Sequence, residues 1–560
     1  LIWTAGGSTT TMSMTSISTA MTGLNQGATY YLAVRALNGD SVQTALSSTL
    51  STTTRNSGSG PDLGSLAAYP GCEGMGCAAT GGRGGTVYTV NTLADTTNAG
   101  CAAQNGPSGP TCSLRDALMK SGARTVVFSV GGTITLGSPI YPPPGNLTVA
   151  GQTAPGGGIQ VRGDGTFGTG GAMIHFTNNA DNVVLRYLRL RPGNAPINAS
   201  LQGLSALSGG DGIHADLRIV DHCSFEWDGN KACAWGGIVT RTTLSWNLWA
   251  EGMSPHSTGL LLNAVTTNQA GLDGSSFDGH HNVFATIDHR LPYTNSKYLR
   301  WINNLVFGFA YAMLVRGNAQ SDIIGNVWDG VSSGLVADPN RQEVRWAYDP
   351  AHNEGGLVPG GSAAQFYMSN NFGHHNPNGA LDDYTNMLRI AASENSQCNA
   401  VGGVCVASDI GVVDPQYKSA GAVALPAGLN DWPITISNLA ARNDLRSLLT
   451  PTAGAYRRLA CDGSWVLNRD SADTMIVDYI MNPALSPTAL VSTEGTYPTL
   501  AAGTPCADAD GDGMPDLWED SHGLNQNDAA DRNTIRANAH GYTNLELYIS
   551  GLFPNGTALP

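Results

Sequence analysis

Between about Leu66 and Asn376, short apolar runs recur behind an asparagine: Asn247-Leu-Trp249, Asn282-Val-Phe284, Asn326-Val-Trp328 and Asn371-Phe372, with Asn304-Leu-Val-Phe307 as a one-residue variant. The successive intervals are 35, 22, 22 and 45 residues, and Cys223-Ser-Phe225 precedes Asn247 by 24. Intervals near 22, or about twice that, are those of stacked coils in a β-solenoid with loops inserted in some turns. Asparagines stacked at an inner bend hydrogen-bond to one another and to turn backbone, while the neighbouring Val, Ile and Phe fill the interior. A flat sandwich also has short strands, but nothing in it repeats an asparagine at fixed phase. The pattern predicts an all-β solenoid.

The ends read differently. Residues 1–55 are rich in Ser and Thr, with one clear strand pattern from Thr29 to Ala36; the segment resembles the closing strands of a fibronectin type III domain. Such a sandwich needs about seven strands, so either its opening strands are missing or another chain supplies them, which would make self-assembly through this segment an outcome. Residues 56–65 read as a flexible linker. The solenoid is expected over 66–376, and 377–500 looks irregular, with Arg469-Asp-Ser-Ala-Asp473 opening a helix through Ile480. A small module is expected over 501–560.

Composition narrows the class. The chain has 560 residues, 71 of them glycine, and a formal net charge of −15. Abundant glycine suits tight turns, and the acidic balance excludes a general nucleic-acid binder. A polyanionic partner would need a local basic cleft or bridging cations. Ten cysteines fall into neighbouring pairs, 72/77, 101/112, 223/233, 398/405 and 461/506, which predicts five short-range disulfides and an oxidising compartment. No run of 18 apolar residues exists to span a membrane. No leader precedes Leu1, so a mature or trimmed secreted product is expected.

Several motifs are more specific. Gly81-Gly-Arg-Gly-Gly85 with Val87-Tyr-Thr-Val90, Ser113-Leu-Arg-Asp-Ala-Leu118, Ala150-Gly-Gln-Thr-Ala-Pro-Gly156 and Arg186-Tyr-Leu-Arg-Leu-Arg-Pro-Gly193 come first. Val220-Asp-His-Cys-Ser-Phe225, His280-His-Asn282, Arg290-Leu-Pro292 and Asn303-Asn304 follow. In this order the set resembles polysaccharide lyase family 1, the pectate-lyase-like enzymes, and Arg469–Asp473 resembles the family's carboxy-terminal element. The resemblance implies a right-handed parallel β-helix and β-elimination on an acidic polysaccharide, pectate or pectin.

That reaction removes a weakly acidic proton at C5 of a uronate, beside a carboxylate, and expels the O4 oxygen. A catalyst must neutralise the carboxylate, stabilise an enolate-like intermediate and place a base at C5. In the family, calcium on acidic side chains serves the first two needs and an arginine the third. Arginine is a weak base in water, so positive charge must crowd it. Arg290 occupies the family's catalytic position. Lys297, Arg300 and His289 are candidates to grip substrate carboxylates, while His222, His280, His281 and Asp221 read as parts of the coil stack.

The metal side departs from the pattern. Asp211 sits where the family often supplies a calcium carboxylate, but Asn230 and Lys231 stand where an acidic pair is usual. Asp228 or Glu226 would have to substitute; otherwise the Lys231 ammonium replaces calcium, as a basic side chain does in the pectin-lyase branch. Tyr293 takes the place of a second arginine common after the catalytic one.

In the tail, Asp508, Asp510, Asp512, Gly513, Asp516 and Glu519 match positions 1, 3, 5, 6, 9 and 12 of an EF-hand-like calcium loop, with the Met514 carbonyl at position 7. The stretch resembles calcium-loop tails of bacterial extracellular enzymes, so a bacterial source is expected. Gly541–Asn544 looks like a second loop that has lost its ion, since Arg536 and His540 replace carboxylates. Two classes of function remain: a secreted lyase with an arginine base, or an extracellular structural, adhesive or filament-forming β-helix that has lost the chemistry.

Overall fold

The computed structural model describes residues 2–5, 8–11, 29–33, 44 and 50–53 near the start. From 66 to 552 it describes all but 97–99, 166–170, 177–179, 194–203, 210–213, 265–271, 317–318, 330–341, 348–363, 392–409, 413–414 and 536–540. Two compact units emerge, Leu1–Leu66 and Ala67–Pro560. In the first, Ile2–Ala5, Ser8–Thr11, Thr29–Ala33 and Leu50–Thr53 form an antiparallel sheet with the first strand between the second and the third.

The second unit is a right-handed parallel β-helix with three walls of ten, nine and eight strands. One coil shows the scheme. Ile238–Ser245 lies in the ten-stranded wall, Leu248–Ala250 in the eight-stranded wall and Thr258–Ala264 in the nine-stranded wall, before Leu272–His280 returns to the first. Each strand pairs in parallel with its counterpart one coil on, as Ser245 does with His280 and Trp249 with Phe284. The walls are short because alternate residues must face a narrow interior. That interior is apolar and aromatic: Phe225 stacks on Trp249 at 3.8 Å and Trp249 on Phe284 at 6.1 Å. The parallel coils run past Asn376, where the sequence pattern fades, since Leu388–Ala391 still pairs in parallel with Gln342–Ala347.

The asparagine phase is physical. Asn247 donates its backbone and side-chain N–H to Asn282 Oδ1 at 3.1 and 3.0 Å. Asn282 repeats the pair of bonds on Asn304, Asn304 on Asn326, and Asn326 on Asn371. The column ends on Asp383 Oδ2, which accepts both N–H groups of Asn371 at 3.0 and 2.9 Å. At the other end Cys223 enters without an amide and only donates its N–H to Asn247, at 2.8 Å. Asn304→Ala is expected to destabilise the solenoid by about 2–4 kcal/mol, because it orphans buried groups on both neighbours. Denaturant unfolding checks this; a change under about 0.5 kcal/mol would contradict a structural role for the column.

Three of the expected disulfides form: Cys72–Cys77, Cys101–Cys112 and Cys461–Cys506. Cys223 and Cys233 do not pair and are free and buried. The reason is geometric: Cys223 stands at the corner before Ser224–Glu226 in the eight-stranded wall, while Cys233 lies inside Lys231–Gly236 of the nine-stranded wall. Closeness in sequence does not bring residues together around a coil. Cys398 and Cys405 lie outside the described residues.

The C-terminal extension is more ordered than its sequence suggests. Helix Ser471–Met481 is capped by Asp470, which accepts the N–H groups of Ala472 and Asp473. Its apolar face, with Ile476, Tyr479 and Ile480, joins Arg442–Leu449 to cover the eight-stranded wall at Leu248, Val283 and Leu305. No helix among the described residues is long and apolar enough to cross a membrane.

Candidate functional site

Backbone strain singles out one position on the nine-stranded wall. Left-handed conformations cost L-residues roughly 1–2 kcal/mol, and here they occur mostly in columns at coil corners. Tyr187, His222, Trp246, His281, Asn303 and Asn370 make one column; Trp227, Glu251 and Thr286 a second; Asn182, Leu217 and Arg241 a third. Among the described non-glycine residues only Gln104 and Arg290 (φ 64°) have positive φ outside these columns. A repeated corner explains the others. It does not explain Arg290, and isolated strain of this kind marks candidate functional positions.

The surroundings of Arg290 are built by strand register. Lys231 pairs with Thr258 on the next coil, and Thr258 bridges in parallel to His289 on the one after. The three therefore stand in a row across the wall, about 4.8 Å apart from strand to strand. The Arg290 carbonyl accepts the Leu260 N–H at 2.7 Å, pinning the backbone to the preceding coil. Its guanidinium lies 5.4 Å from the Tyr293 ring centre, and Arg316 stands 5.5 Å from the same ring while hydrogen-bonding its phenol. Tyr293, in the place of the second arginine, is thus in cation–π contact with two arginines.

Histidines complete the locus. His289 Nδ1 meets Asp288 Oδ2 at 2.8 Å, and His256 packs edge-on against His289 at 6.2 Å. Burial pushes His256 down to about 3, and the charges of Lys231, Arg290 and His289 reinforce the shift. Burial also lowers His289, with Asp288 opposing and Arg290 and Lys231 assisting. Lys231, His256, His289 and Arg290 therefore feel one another's fields, a basic island on a chain of net charge −15. His256, just ahead of strand Thr258–Ala264, carries no sequence signal that separates it from an ordinary lone histidine. Arg316 was equally silent, since its place beside Tyr293 comes from the register of two coils.

Other candidates are not brought to this locus. Arg300 lies in the ten-stranded wall and is committed to Asp278, at 2.6 and 2.8 Å, and to Asn430 at 2.8 Å. Lys297 opens the same strand, Ser296–Ile302, on that other wall, with its N–H on Ser275 Oγ. Glu226, entertained as a calcium ligand, is buried against Arg191 at 2.5 Å. His222 is stacked between Tyr187 and Trp246, and His281 on the far face of Trp246, so both belong to the corner column.

The described residues bring no calcium ligand set together at this locus. Asp228 is buried, neither of its oxygens has a hydrogen-bond partner, and burial pushes its carboxyl well above the usual range, with its own N–H and Lys231 opposing. Lys231 donates to Asn230 Oδ1 at 2.6 Å. Asp211 lies outside the described residues. Among the described residues no set of three carboxylate, His or Cys ligand atoms converges here.

They do converge in the tail. Oxygens of Asp508, Asp510 and Asp512 lie within 4.8 Å of one another, as do those of Asp512, Glu519 and Asp531. Burial and mutual repulsion raise Asp512 to about 8 and Glu519 to about 9, values that suit carboxylates gathered for a cation. Asp516 does not join them; its Oδ1 accepts the Ala509 N–H at 2.7 Å. The Met514 N–H donates to Asp512 Oδ1. Asp531, beyond the twelve-residue loop, had no motif to announce it. Arg536 and His540 lie outside the described residues.

No family model matches the chain. Among curated proteins it is 28% identical to "Probable pectate lyase C" of Aspergillus fumigatus over 502 residues, covering 88% of this chain and 94% of that one. It is 27% identical to the protein of the same name from Aspergillus oryzae, covering 88% and 96%. These relatives are fungal, which overturns the expectation of a bacterial source and points to a fungal one. Among solved structures, the cedar-pollen allergen jun a 1 aligns at 16% identity and a TM-score of 0.42, covering 68% of this chain and 92% of that one. A pectate lyase from Bacillus sp. N165 in complex with trigalacturonate aligns at 18% and 0.39, covering 69% and 98%.

Proposed function

We propose that the chain is a pectate lyase that cleaves an acidic polysaccharide, pectate or pectin, by β-elimination at the basic island around Arg290. The isolated left-handed Arg290 within that island is the observation that carries the reading, and near-full-length similarity to fungal proteins named as probable pectate lyases supports it.

The chemistry divides among the residues in place. A uronate carboxylate is held by Lys231, whose ammonium takes the part that calcium has elsewhere. The Arg290 guanidine nitrogen takes the C5 proton. The C5–H electron pair becomes the C4=C5 double bond, the C4–O4 bond breaks, and the departing oxygen is protonated from water. His256, kept neutral by its surroundings, can donate one N–H without adding charge, whereas neutral His289 spends its N–H on Asp288. No step passes through a metal at this locus. In the tail, Asp508, Asp510, Asp512, Glu519 and Asp531 would hold calcium, a hard cation that takes six to eight oxygens.

The test is ultraviolet absorbance of the unsaturated product on polygalacturonate and on methylated pectin, with calcium or with chelator. A rise on at least one substrate, with an initial rate that persists in chelator, is expected. Absence of a rise on both would remove the lyase reading. A rate abolished at once by chelator would remove Lys231 as the charge that replaces calcium.

A further inference from the structure

The calcium loop of the tail does not hang free. Gly511, with φ of 73°, lies so close to the loop around Gln104 that a Cβ there would run into the Gln104 carbonyl, and a Cβ on Gly106 would come within 3.2 Å of the Asp508 carbonyl. Gly513 abuts Val87 of the first strand, Thr86–Val90, in the same way. With its side-chain amide turned so that the oxygen faces the guanidinium, Gln104 accepts from Arg532, next to the ligand Asp531, at 2.9 Å. Gln104 is itself the other isolated left-handed residue among the described non-glycine residues. The segment that receives the loop is closed by Cys101–Cys112, and the tail enters through Cys461–Cys506.

The donor set asks for a cation. Glu519 is fully buried and neither of its carboxylate oxygens has a hydrogen-bond partner, although one of them lies within 4.8 Å of oxygens of Asp512 and Asp531. Asp512 is equally buried, and its Oδ2 is also without one. Three buried carboxylate oxygens without donors are costly unless an ion supplies the missing charge.

We propose that a calcium ion bound by Asp508, Asp510, Asp512, Glu519 and Asp531 acts as a clamp, fastening the end of the chain onto the 101–112 segment and first strand of the β-helix. The proposal rests on the reading that this loop holds calcium. Binding orders the 508–512 backbone, and that backbone is the surface on which Gln104 and Gly106 sit. The ion thus governs the opening of the first coil, some 400 residues away in sequence.

The test uses the full chain. Terbium luminescence sensitised by Trp518, buried one residue from Glu519, reports occupancy, and limited proteolysis reports opening of 101–112. With calcium at ten times its dissociation constant, linkage lowers the opened population about tenfold, so cleavage within 101–112 should slow by about that factor. Glu519→Gln should lose both the luminescence and the protection while keeping the β-sheet circular dichroism. Gly511→Ala keeps every ligand but spoils the seat, so it should retain luminescence and lose protection. Luminescence with cleavage unaffected by calcium would overturn the clamp and leave the calcium reading standing. Absence of luminescence, with no calcium effect on cleavage, would overturn both.

Discussion

Arg290→Ala is expected to lower the rate of unsaturated-product formation by about 10²–10⁴-fold, the range for loss of a positioned proton acceptor. Arg290→Lys should do nearly as badly, because a charged ammonium on a shorter reach replaces a planar guanidine. The informative variant is Arg290→Gly. Glycine adopts φ near 64° without cost, so this chain should be as stable as the parent or up to about 1–2 kcal/mol more stable, yet inactive. Gain of stability with loss of activity is the signature of strain kept for function. Thermal unfolding and initial rates on the same samples measure both. An Arg290→Gly protein that unfolds more easily, or that retains activity, would show that the residue serves the wall and not the chemistry.

Arg191→Ala should be the most damaging single change to the fold, at about 3–5 kcal/mol or more. Arg191 is fully buried and meets Glu226 at 2.5 Å, Asp470 at 2.8 Å and Asp473 at 2.7 Å, besides the Gln160 amide oxygen. Asp470 also faces Arg189 at 2.9 Å, and Asp473 accepts the Ser224 hydroxyl at 2.7 Å. The cluster is the polar seam between the eight-stranded wall and the helix Ser471–Met481. Its removal would strand three carboxyls in the interior and free the helix that covers the wall.

The same cluster predicts a pH slope. Burial raises Glu226 well above its ordinary value, with Arg191 opposing and the neighbouring aspartates adding to the rise. Between the unfolded value, about 4.3, and the raised folded one, the native state holds a proton that the unfolded chain has lost. Stability from this group is therefore fully present below about pH 4 and declines as pH rises toward the folded value. Glu226→Gln, which fixes the neutral form, should be close to neutral in acid, gain relative stability as pH rises, and flatten the profile. A parallel profile for parent and variant would contradict the assignment. Asp470 has the opposite sign. Held at about 2 by Arg191 and Arg189 against its burial, it loses its contribution as pH falls through that value.

Legibility followed the reach of the interactions. The asparagine column was readable because one chemistry recurs at one corner, so a linear repeat survives inserted loops. The motif around Arg290 made it a candidate, but its isolation in backbone space was not legible, since that emerges only when the other left-handed residues fall into columns. Arg300 misled because its partner, Asp278, is set by strand register across 22 residues and a basic residue near the site reads the same either way. Cys223 and Cys233 misled by proximity, where the walls of the coil separate them. Asp531 was invisible because folding, not spacing, delivers it to Asp512 and Glu519. The clustering of Asp508, Asp510 and Asp512 was plain, for they are local in sequence.

The asparagine column also sets what the fold tolerates. Its members are 22, 35 or 45 residues apart along the chain yet make the same pair of bonds, near 3 Å, at every step. The coil therefore measures itself by corners and is indifferent to the length of chain paid out between them. Doubling a loop on the rim of the nine-stranded wall should cost only about 0.6 kcal/mol in closure entropy, against the much larger penalty of losing one corner amide. New rims can then be spliced beside Arg290 without retuning the spiral behind it, so what surrounds that residue can drift while the scaffold stays in phase.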